Sequence, residues 1–478
     1  MELEPDQVEV YNLLVERYAT HKVQLLPAVQ GFGKSFLGIS LAKHFKEYKP
    51  AVICPKTLIP MWEKMFNEVG IKPLFIHSYS TMAGSNNPYL KKTDKKDYVA
   101  TKLWRKPVFL ICDESQAIKN KTSSRHWAAF ALISTIQGKV LHLTAGPIDK
   151  EANWTCLYRN MGIMTKPDVM VYRNKEWKLT GLKQVFNACP PQLVDKVYKN
   201  YAIKRSTIND ILSYLWIKHF RQTMTIPVKD PVYTHMGQPV TQTLCNLFVT
   251  LSKEDQALAD KGIEHLKGKG IIKDNKIDMK NLQSNFGAIQ LALMDLCKSK
   301  VNSVAHLARE RLKQPGKVVI ACPFIMDQNE LCLQLKDYNP LLLNGKTKDR
   351  EDVIRKFNHG NKYRCLVMSL EVGGEGISLH DTNGRYPRTM YIIPNFYFLK
   401  IFQTSGRTYR RGSKSDSEVY IVYSSSDTIE SILVHTLAKT EVANAVISPG
   451  SNRKYPGDYD IIGLTKPEIE KLKASLQQ

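Results

Sequence analysis

The chain has 478 residues, with 68 Lys and Arg against 45 Asp and Glu and a formal charge of +23 at neutral pH. With 43% hydrophobic and 24% charged residues it is composed like a folded protein, not a disordered one. Its length exceeds one ordinary core, so two or three domains are expected. A basic excess of this size favours a polyanionic partner, nucleic acid first, with plain solubility as the bland alternative. The nine cysteines include no C-x-x-C pair. Cys54, Cys112, Cys322 and Cys365 fall in apolar runs, which points to reduced core thiols and away from structural zinc. The acidic opening MELEPDQ is unlike a signal or transit peptide, and no uncharged apolar stretch reaches membrane-spanning length. A cytoplasmic or nuclear setting without membrane is the expectation.

In chain order, short apolar runs (VQLLPA, AVICP, VFLICDE, VLHLTA) recur between helical patterns in the first part, and a second series (KVVIACP, LLLNG, YRCLVMS, TMYIIP, EVYIVYS) follows later. Strands without alternation, separated by helices, predict parallel sheets covered on both faces, so two α/β lobes are expected. The divisions expected are a first lobe over 1–160, helical protrusions and the inter-lobe connection over 161–310, a second lobe over 311–450 and a tail over 451–478. The middle stretch lacks such runs and is rich in Lys, Asn and Gln, with KGKGIIKDNKIDMKN read as a loop. In the tail, Thr465 and Glu468 have capping-box spacing and predict a terminal helix, which packs on its own lobe or docks a protein partner.

Three stretches carry chemistry. In AVQGFGKS, residues 28–35, the glycines let backbone N–H groups approach phosphate oxygens, and the helix that follows adds the positive end of its dipole. Lys34 would meet β and γ phosphates and Ser35 would hold Mg²⁺, although Ala28 stands where the common pattern has its first glycine and a plain turn is the alternative. In VFLICDESQAIKN a buried strand ends in adjacent acids, costly unless they meet a cation. Asp113 would hold the metal and Glu114 would polarise the attacking water; two solvated acids are the alternative. In QTSGRTYRRGSKS, Gln403, Arg407 and Arg410 have one-turn spacing, so a helix start is expected to present all three on one side. A guanidinium there would stabilise charge on a γ-phosphate, against the alternative of a solvated basic helix.

The order and wording of these motifs resemble superfamily 2 helicases, and within them the Swi/Snf-type ATPases, which are double-stranded DNA translocases. LEPDQ resembles the family's opening segment, whose glutamine, here Gln7, recognises adenine. AVICPKTLIPMWEKMF, DESQAIKN and LTAGPI match the motifs that follow, and FVTLSKEDQAL, KVVIACPF, LNGKTKDREDVIRKFN, SLEVGGEGISL and QTSGRTYRRGS continue the set, so the resemblance covers about residues 3–425. It implies two RecA-like lobes with parallel sheets and helical insertions between them, ATP with Mg²⁺ between the lobes, and nucleic acid across both, as duplex DNA gripped by its phosphates. It further implies that Lys34, Ser35, Asp113, Glu114, Arg407 and Arg410 form the hydrolytic set. Gly31, Gly33 and Gln403 join the nucleotide-binding group. Thr144 and Gly146 couple the nucleotide to the track, while Lys56, Ser369, Gly373, Gly374 and Gly376 face the DNA backbone or line the cleft. Gln116 stands where the family has His, TAGP replaces TGTP, and IPNFYF replaces Asp-x-x-Trp-Asn-Pro. The resemblance therefore suggests a compact DNA-dependent ATPase of the helicase or translocase class, of viral or phage type. A strand-separating DNA or RNA helicase and a non-catalytic clamp or scaffold are the alternatives.

Overall fold

The computed structural model describes residues 3–29, 31–94, 97–229, 231–273, 276–277, 286–373, 377–395, 398–424, 439, 442–447 and 461–462. The chain divides into two compact units. The first is built from residues up to 231 together with 442–447, the second from 232 onward. Gly374, Glu375 and Gly376, the tail helix expected around Thr465 and Glu468, and residues 274–275 and 278–281 of the expected loop lie outside the described residues; the described part of that stretch is not all loop, since Lys267 and Gly268 end a helix and Ile272–Lys273 pairs antiparallel with Lys276–Ile277.

In the first unit, β1 (Val23–Pro27), β2 (Lys49–Cys54), β3 (Phe75–Ser78), β4 (Pro107–Asp113) and β5 (Gln137–Thr144) form one sheet in the order β1-β5-β4-β2-β3, every pair parallel. Successive side chains of a strand point to opposite faces, and here both faces are dry. Phe109 and Ile111 of β4 join Leu14, Leu37, Trp62 and Phe66 on one side. Leu110 and Cys112 join Trp104, Leu132, Trp154 and Tyr158 on the other. Three helices supply the first layer: α1 (Pro5–Tyr18), α2 (Lys34–His44) and α3 (Ile59–Glu68). α1 starts where Pro5 is tolerated without its N–H, and Glu4 and Gln7 close a capping box.

Helical sequence beyond residue 160 packs on this same unit. Trp216 lies 5.6 Å from Tyr158, ring centre to ring centre. Ile226 then donates to the Leu25 carbonyl and extends the sheet edge beyond β1. An antiparallel ribbon, β6 (Met170–Arg173) and β7 (Glu176–Leu179), projects from this region.

In the second unit the sheet has seven strands, all parallel. They are β8 (Gln242–Phe248), β9 (Lys317–Cys322), β10 (Leu341–Leu343), β11 (Cys365–Ser369), β12 (Arg388–Ile392), β13 (Ser417–Tyr423) and β14 (Ile461–Ile462), in the order β10-β11-β9-β12-β13-β8-β14. Again the two faces bury alternate residues, Val319 and Ala321 on one and Val318 and Ile320 on the other. The two α/β lobes expected from the apolar runs are therefore present. β8 was not expected, because QTLCNLF mixes polar and apolar residues and gives no continuous apolar run. Its pairing with β13 over seven residues, Gln242 to Phe248, decides its conformation.

Two histidines are buried in the first unit and held neutral. His142 on β5 donates from Nε2 to the Asn160 carbonyl at 2.8 Å, and burial lowers its pKa to about 4. His126 donates from Nδ1 to the Ile118 carbonyl at 2.9 Å; burial and then the Arg159 guanidinium lower it to about 4. Both folded values lie below the ordinary 6.5, so between those limits the unfolded chain binds more protons. Stability is therefore complete above pH 6.5 and falls as the pH drops toward 4, by up to about 1.4 kcal/mol per pH unit for each imidazole. Urea midpoints at pH 7, 5.5 and 4.5 should show the fall, and His142→Gln should flatten it. A midpoint unchanged over that range would rule the assignment out.

Candidate nucleotide site and nucleic-acid interface

The carboxyl ends of the first sheet's strands gather most of the residues singled out in the first half of the sequence. After β1 the loop passes through Gly31 and Gly33, at φ of +83° and +89°, a region that a side chain rarely adopts. At Gly33 there is also no room, since an added Cβ would sit 2.2 Å from the Gln7 amide nitrogen. Gln7 is buried and uses both ends of its amide. Nε2 donates to the Phe32 carbonyl at 2.6 Å, and Oε1 accepts from the Glu4 N–H at 3.0 Å. The glutamine thus braces the glycine loop against the first helix.

Gly33 is the N-cap of α2, so the helix begins at Lys34 and its free N–H groups face the loop. The Lys34 ammonium curls into the loop and donates to the carbonyls of Ala28 at 2.9 Å and Val29 at 3.0 Å. Ser35 follows, half-buried, in the same first turn.

Asp113 closes β4 and is only 3% exposed. Its Oδ2 accepts from the Trp62 indole N–H at 3.0 Å and its Oδ1 from the Glu114 N–H at 2.9 Å. Burial and the neighbouring Glu114 carboxylate raise its pKa to about 7, against the opposing pull of Lys34 and the indole hydrogen bond. A buried carboxylate pushed that far up is short of positive charge, the environment that a divalent cation suits. A carboxylate of this kind and the hydroxyl of Ser35 in the first turn of α2 are oxygen donors of the type that Mg²⁺ takes. Tyr79 fixes the backbone here by donating to the Asp113 carbonyl at 2.9 Å. Trp62 and Tyr79 were not singled out from the sequence.

Glu114 stands at φ +51°, a left-handed conformation that costs a non-glycine residue about 1–2 kcal/mol. The strain aims its side chain away from the strand axis, where Gln116 donates to Oε2 at 2.7 Å. Gln116 in turn accepts from the Thr144 hydroxyl at 2.6 Å, and the Gly146 N–H donates to that hydroxyl at 3.0 Å. Glu114, Gln116, Thr144 and Gly146 are therefore one hydrogen-bonded relay. The glutamine can make both bonds because its amide donates at one end and accepts at the other. Lys119 pairs with Asp149 at 2.8 Å, both half-buried or more, and the Asn153 amide donates to the Lys119 carbonyl at 2.8 Å. Asp149 and Asn153 bind the acidic motif to the segment after β5, and no sequence signal had marked them. Lys56 is exposed, in the turn that follows β2.

A separate concavity of about 500 Å³ opens at the amino end of β1, lined by His21, Val23, Ile133, Met161, Phe220 and Met224. It has neither the glycine loop nor the acid pair, and ligands of parallel α/β sheets bind at carboxyl ends.

In the second unit, Ser369 ends β11 and accepts from the Val372 N–H at 3.2 Å. A Cβ on Gly373 would meet the Thr404 hydroxyl at 2.7 Å. Gln403 is buried in the helix Phe398–Ser405. The arginines depart from expectation. That helix ends at Ser405, so Arg407 and Arg410 lie in the turns beyond it and not on one helical face with Gln403. The Gly406 position and the pairing of Leu379 N–H with the Arg407 carbonyl at 2.9 Å break the helix there. Arg407 is buried, with its guanidinium donating to the carbonyls of Gly373 and Ile377. Arg410 is half-buried and donates to the Ser378 hydroxyl at 3.0 Å. Near it, burial and the charges of Arg410 and Arg388 lower His380 to about 4. The turn after β11, with Ser369 and Gly373, and the turns that carry Arg407 and Arg410 are thus tied together in the second unit.

Residues 299–412, which span all of these turns, match the helicase conserved C-terminal domain. The second unit thus carries a helicase C-terminal domain. The curated relatives it matches carry the name ATP-dependent helicase. Among its relatives is a protein of Acanthamoeba polyphaga mimivirus named as an ATP-dependent RNA helicase. It is 24% identical over 407 residues, covering 80% of this chain and 72% of that protein. An ATP-dependent helicase of Mycoplasma genitalium is 28% identical over 153 residues, covering 28% of this chain and 14% of that protein. Similar solved structures include the Sulfolobus solfataricus SWI2/SNF2 ATPase core in complex with double-stranded DNA, at 15% identity, 88% coverage of both chains and a TM-score of 0.33. The Pyrococcus furiosus Hef helicase domain is another, at 12% identity, coverage of 88% of this chain and 97% of that one, and a TM-score of 0.39. Among the described residues no helix is long and apolar enough to cross a membrane.

Proposed function

We propose that the chain is an ATP-driven translocase that moves along nucleic acid, with duplex DNA as the track. The observation that supports it most is the relay from Glu114 through Gln116 to Thr144 and Gly146, because it ties the group that would orient the attacking water to the segment that would feel the track. In this reading the glycine loop, Lys34 and the start of α2 hold the β and γ phosphates, and Gln7 sets the loop's shape from behind. Ser35 and Asp113 would hold Mg²⁺, which would supply neutralising charge to those phosphates. Glu114 holds the attacking water, Arg410 of the second unit stabilises the transferring phosphoryl group in the ATP-bound state, and Arg407 holds the turn from which Arg410 acts. Lys56, Thr144, Ser369 and Gly373 meet the phosphate backbone, so binding is independent of sequence and weakens steeply with salt. The charge of +23 supports the same partner.

Purified protein should hydrolyse ATP faster with duplex DNA than without, and displace a third strand from a triplex without unwinding a forked duplex. Stimulation by RNA alone, or unwinding of the fork, would replace this reading with a strand-separating helicase, the alternative to which the mimivirus relative's name lends weight. No hydrolysis under any condition would leave a clamp or scaffold, against which the presence of Asp113, Glu114 and Arg410 argues. Gln116→Ala should leave basal hydrolysis near normal and cut the stimulation by nucleic acid about fivefold or more, the ordinary size of a coupling energy. Equal stimulation in variant and wild type would remove the relay from the mechanism.

A further inference from the structure

The ribbon β6–β7 takes no part in the site described above. Its register pairs Met170 with Leu179, Val171 with Lys178, Tyr172 with Trp177 and Arg173 with Glu176. Asn174 and Lys175 connect the strands at φ of +55° and +64°, the two-residue turn whose twist matches paired strands. Alternation puts Met170, Leu179, Tyr172 and Trp177 on one face. At the base of that face Met170 and Leu179 pack against the first unit's core. Toward the tip the face is open, with Tyr172 58% and Trp177 46% exposed and their rings 5.1 Å apart.

Four other tryptophans of this chain, Trp62, Trp104, Trp154 and Trp216, are fully buried. An aromatic pair left in water on a tip that also carries Arg173, Lys175 and Lys178, with Glu176 as the tip's acid, does not suit an apolar protein partner. It suits a ligand that is flat, apolar on its faces and anionic at its edges. An unpaired nucleobase with its flanking phosphates is that ligand. A base inside a duplex has both faces covered by its neighbours, so the ring pair has nothing to receive there.

We propose that β6–β7 is a base-stacking finger, in which Tyr172 and Trp177 receive an unpaired base of single-stranded nucleic acid, while Lys175 in the turn and Arg173 and Lys178 on the ribbon's opposite face draw the adjoining phosphates around its tip. The proposal rests on the reading of the chain as a nucleic-acid motor.

The test uses the full chain and a fluorescein-labelled single-stranded oligothymidylate, with a blunt duplex of equal length beside it. Tyr172→Ala/Trp177→Ala should weaken single-strand binding roughly tenfold to a hundredfold, the effect of losing one base–aromatic stack. Duplex binding and ATP hydrolysis without nucleic acid should be unchanged, and Trp177→Phe should restore most of the single-strand affinity. Part of the wild-type tryptophan emission should be quenched by the single strand and not by the duplex. Unchanged single-strand affinity in the double variant, or an equal loss for duplex, would overturn the finger while ATP hydrolysis still reports on the motor. A wild type that hydrolyses no ATP would end the motor reading, and the binding comparison would still judge the finger.

Discussion

Lys34→Ala should lower the rate of ATP hydrolysis by on the order of 10²–10³-fold while leaving nucleic-acid affinity within a factor of about two, the loss expected for a lone preorganised donor to developing charge. Two effects act together. The ammonium that now bridges the Ala28 and Val29 carbonyls is the group poised to move onto a β- or γ-phosphate oxygen, and its removal takes away that contact. Lys34 also draws down the pKa of Asp113, which burial and Glu114 have already raised to about 7. Without the lysine the carboxyl is pushed up further, so at neutral pH more of it is protonated and unable to hold a metal. Lys34→Arg separates the two: it keeps the positive charge beside Asp113 but not the compact ammonium that fits the loop. Its nucleotide affinity should exceed that of Lys34→Ala while its turnover stays low. Phosphate release and the binding of a fluorescent ATP analogue measure both quantities. A Lys34→Ala protein that turns over ATP at the normal rate would sink the site.

Much of this was legible in the sequence because it depends on local pattern. A run such as VFLIC has no polar face to show to water, so it announces a strand buried on both sides, and β4 lies paired between β2 and β5. The glycine loop was legible because its backbone angles exclude side chains at Gly31 and Gly33. What escaped notice depends on contacts between distant segments. Trp62 reads as a core residue on an amphipathic helix, and its hydrogen bond to Asp113 spans 51 residues. Asp149 acquires a role only when the chain returns to bring it to Lys119. β8 is held as a strand by its neighbour β13 and not by its own composition. The one-turn spacing of Gln403, Arg407 and Arg410 misled for the opposite reason: the spacing was helical, but Gly406 and the carbonyls awaiting Arg407 ended the helix first.

That early helix ending separates the two arginines, and their substitutions should differ accordingly. Arg410→Ala should lower ATP turnover by roughly 10³–10⁵-fold, the range for a guanidinium that stabilises a transferring phosphoryl group, with little change in melting temperature. Arg410 is half-buried, and the Ser378 hydroxyl that it reaches at 3.0 Å is a neutral partner it can leave. Arg407→Ala should act first on the fold. Its buried guanidinium satisfies the carbonyls of Gly373 and Ile377, and its own carbonyl accepts from the Leu379 N–H, so it holds together the turn that follows β11. Each carbonyl left unpaired costs about 1–3 kcal/mol, and a unit of this size loses about 2–4 °C of melting temperature per kcal/mol. Lysine cannot replace it, because one ammonium on a flexible stem does not span two carbonyls as the planar fork does. Differential scanning calorimetry and steady-state ATP hydrolysis on the two alanine variants decide the matter. If Arg410→Ala melts early, or if Arg407→Ala keeps its melting temperature and loses only turnover, the roles are exchanged and Arg407 is the group that meets the phosphate.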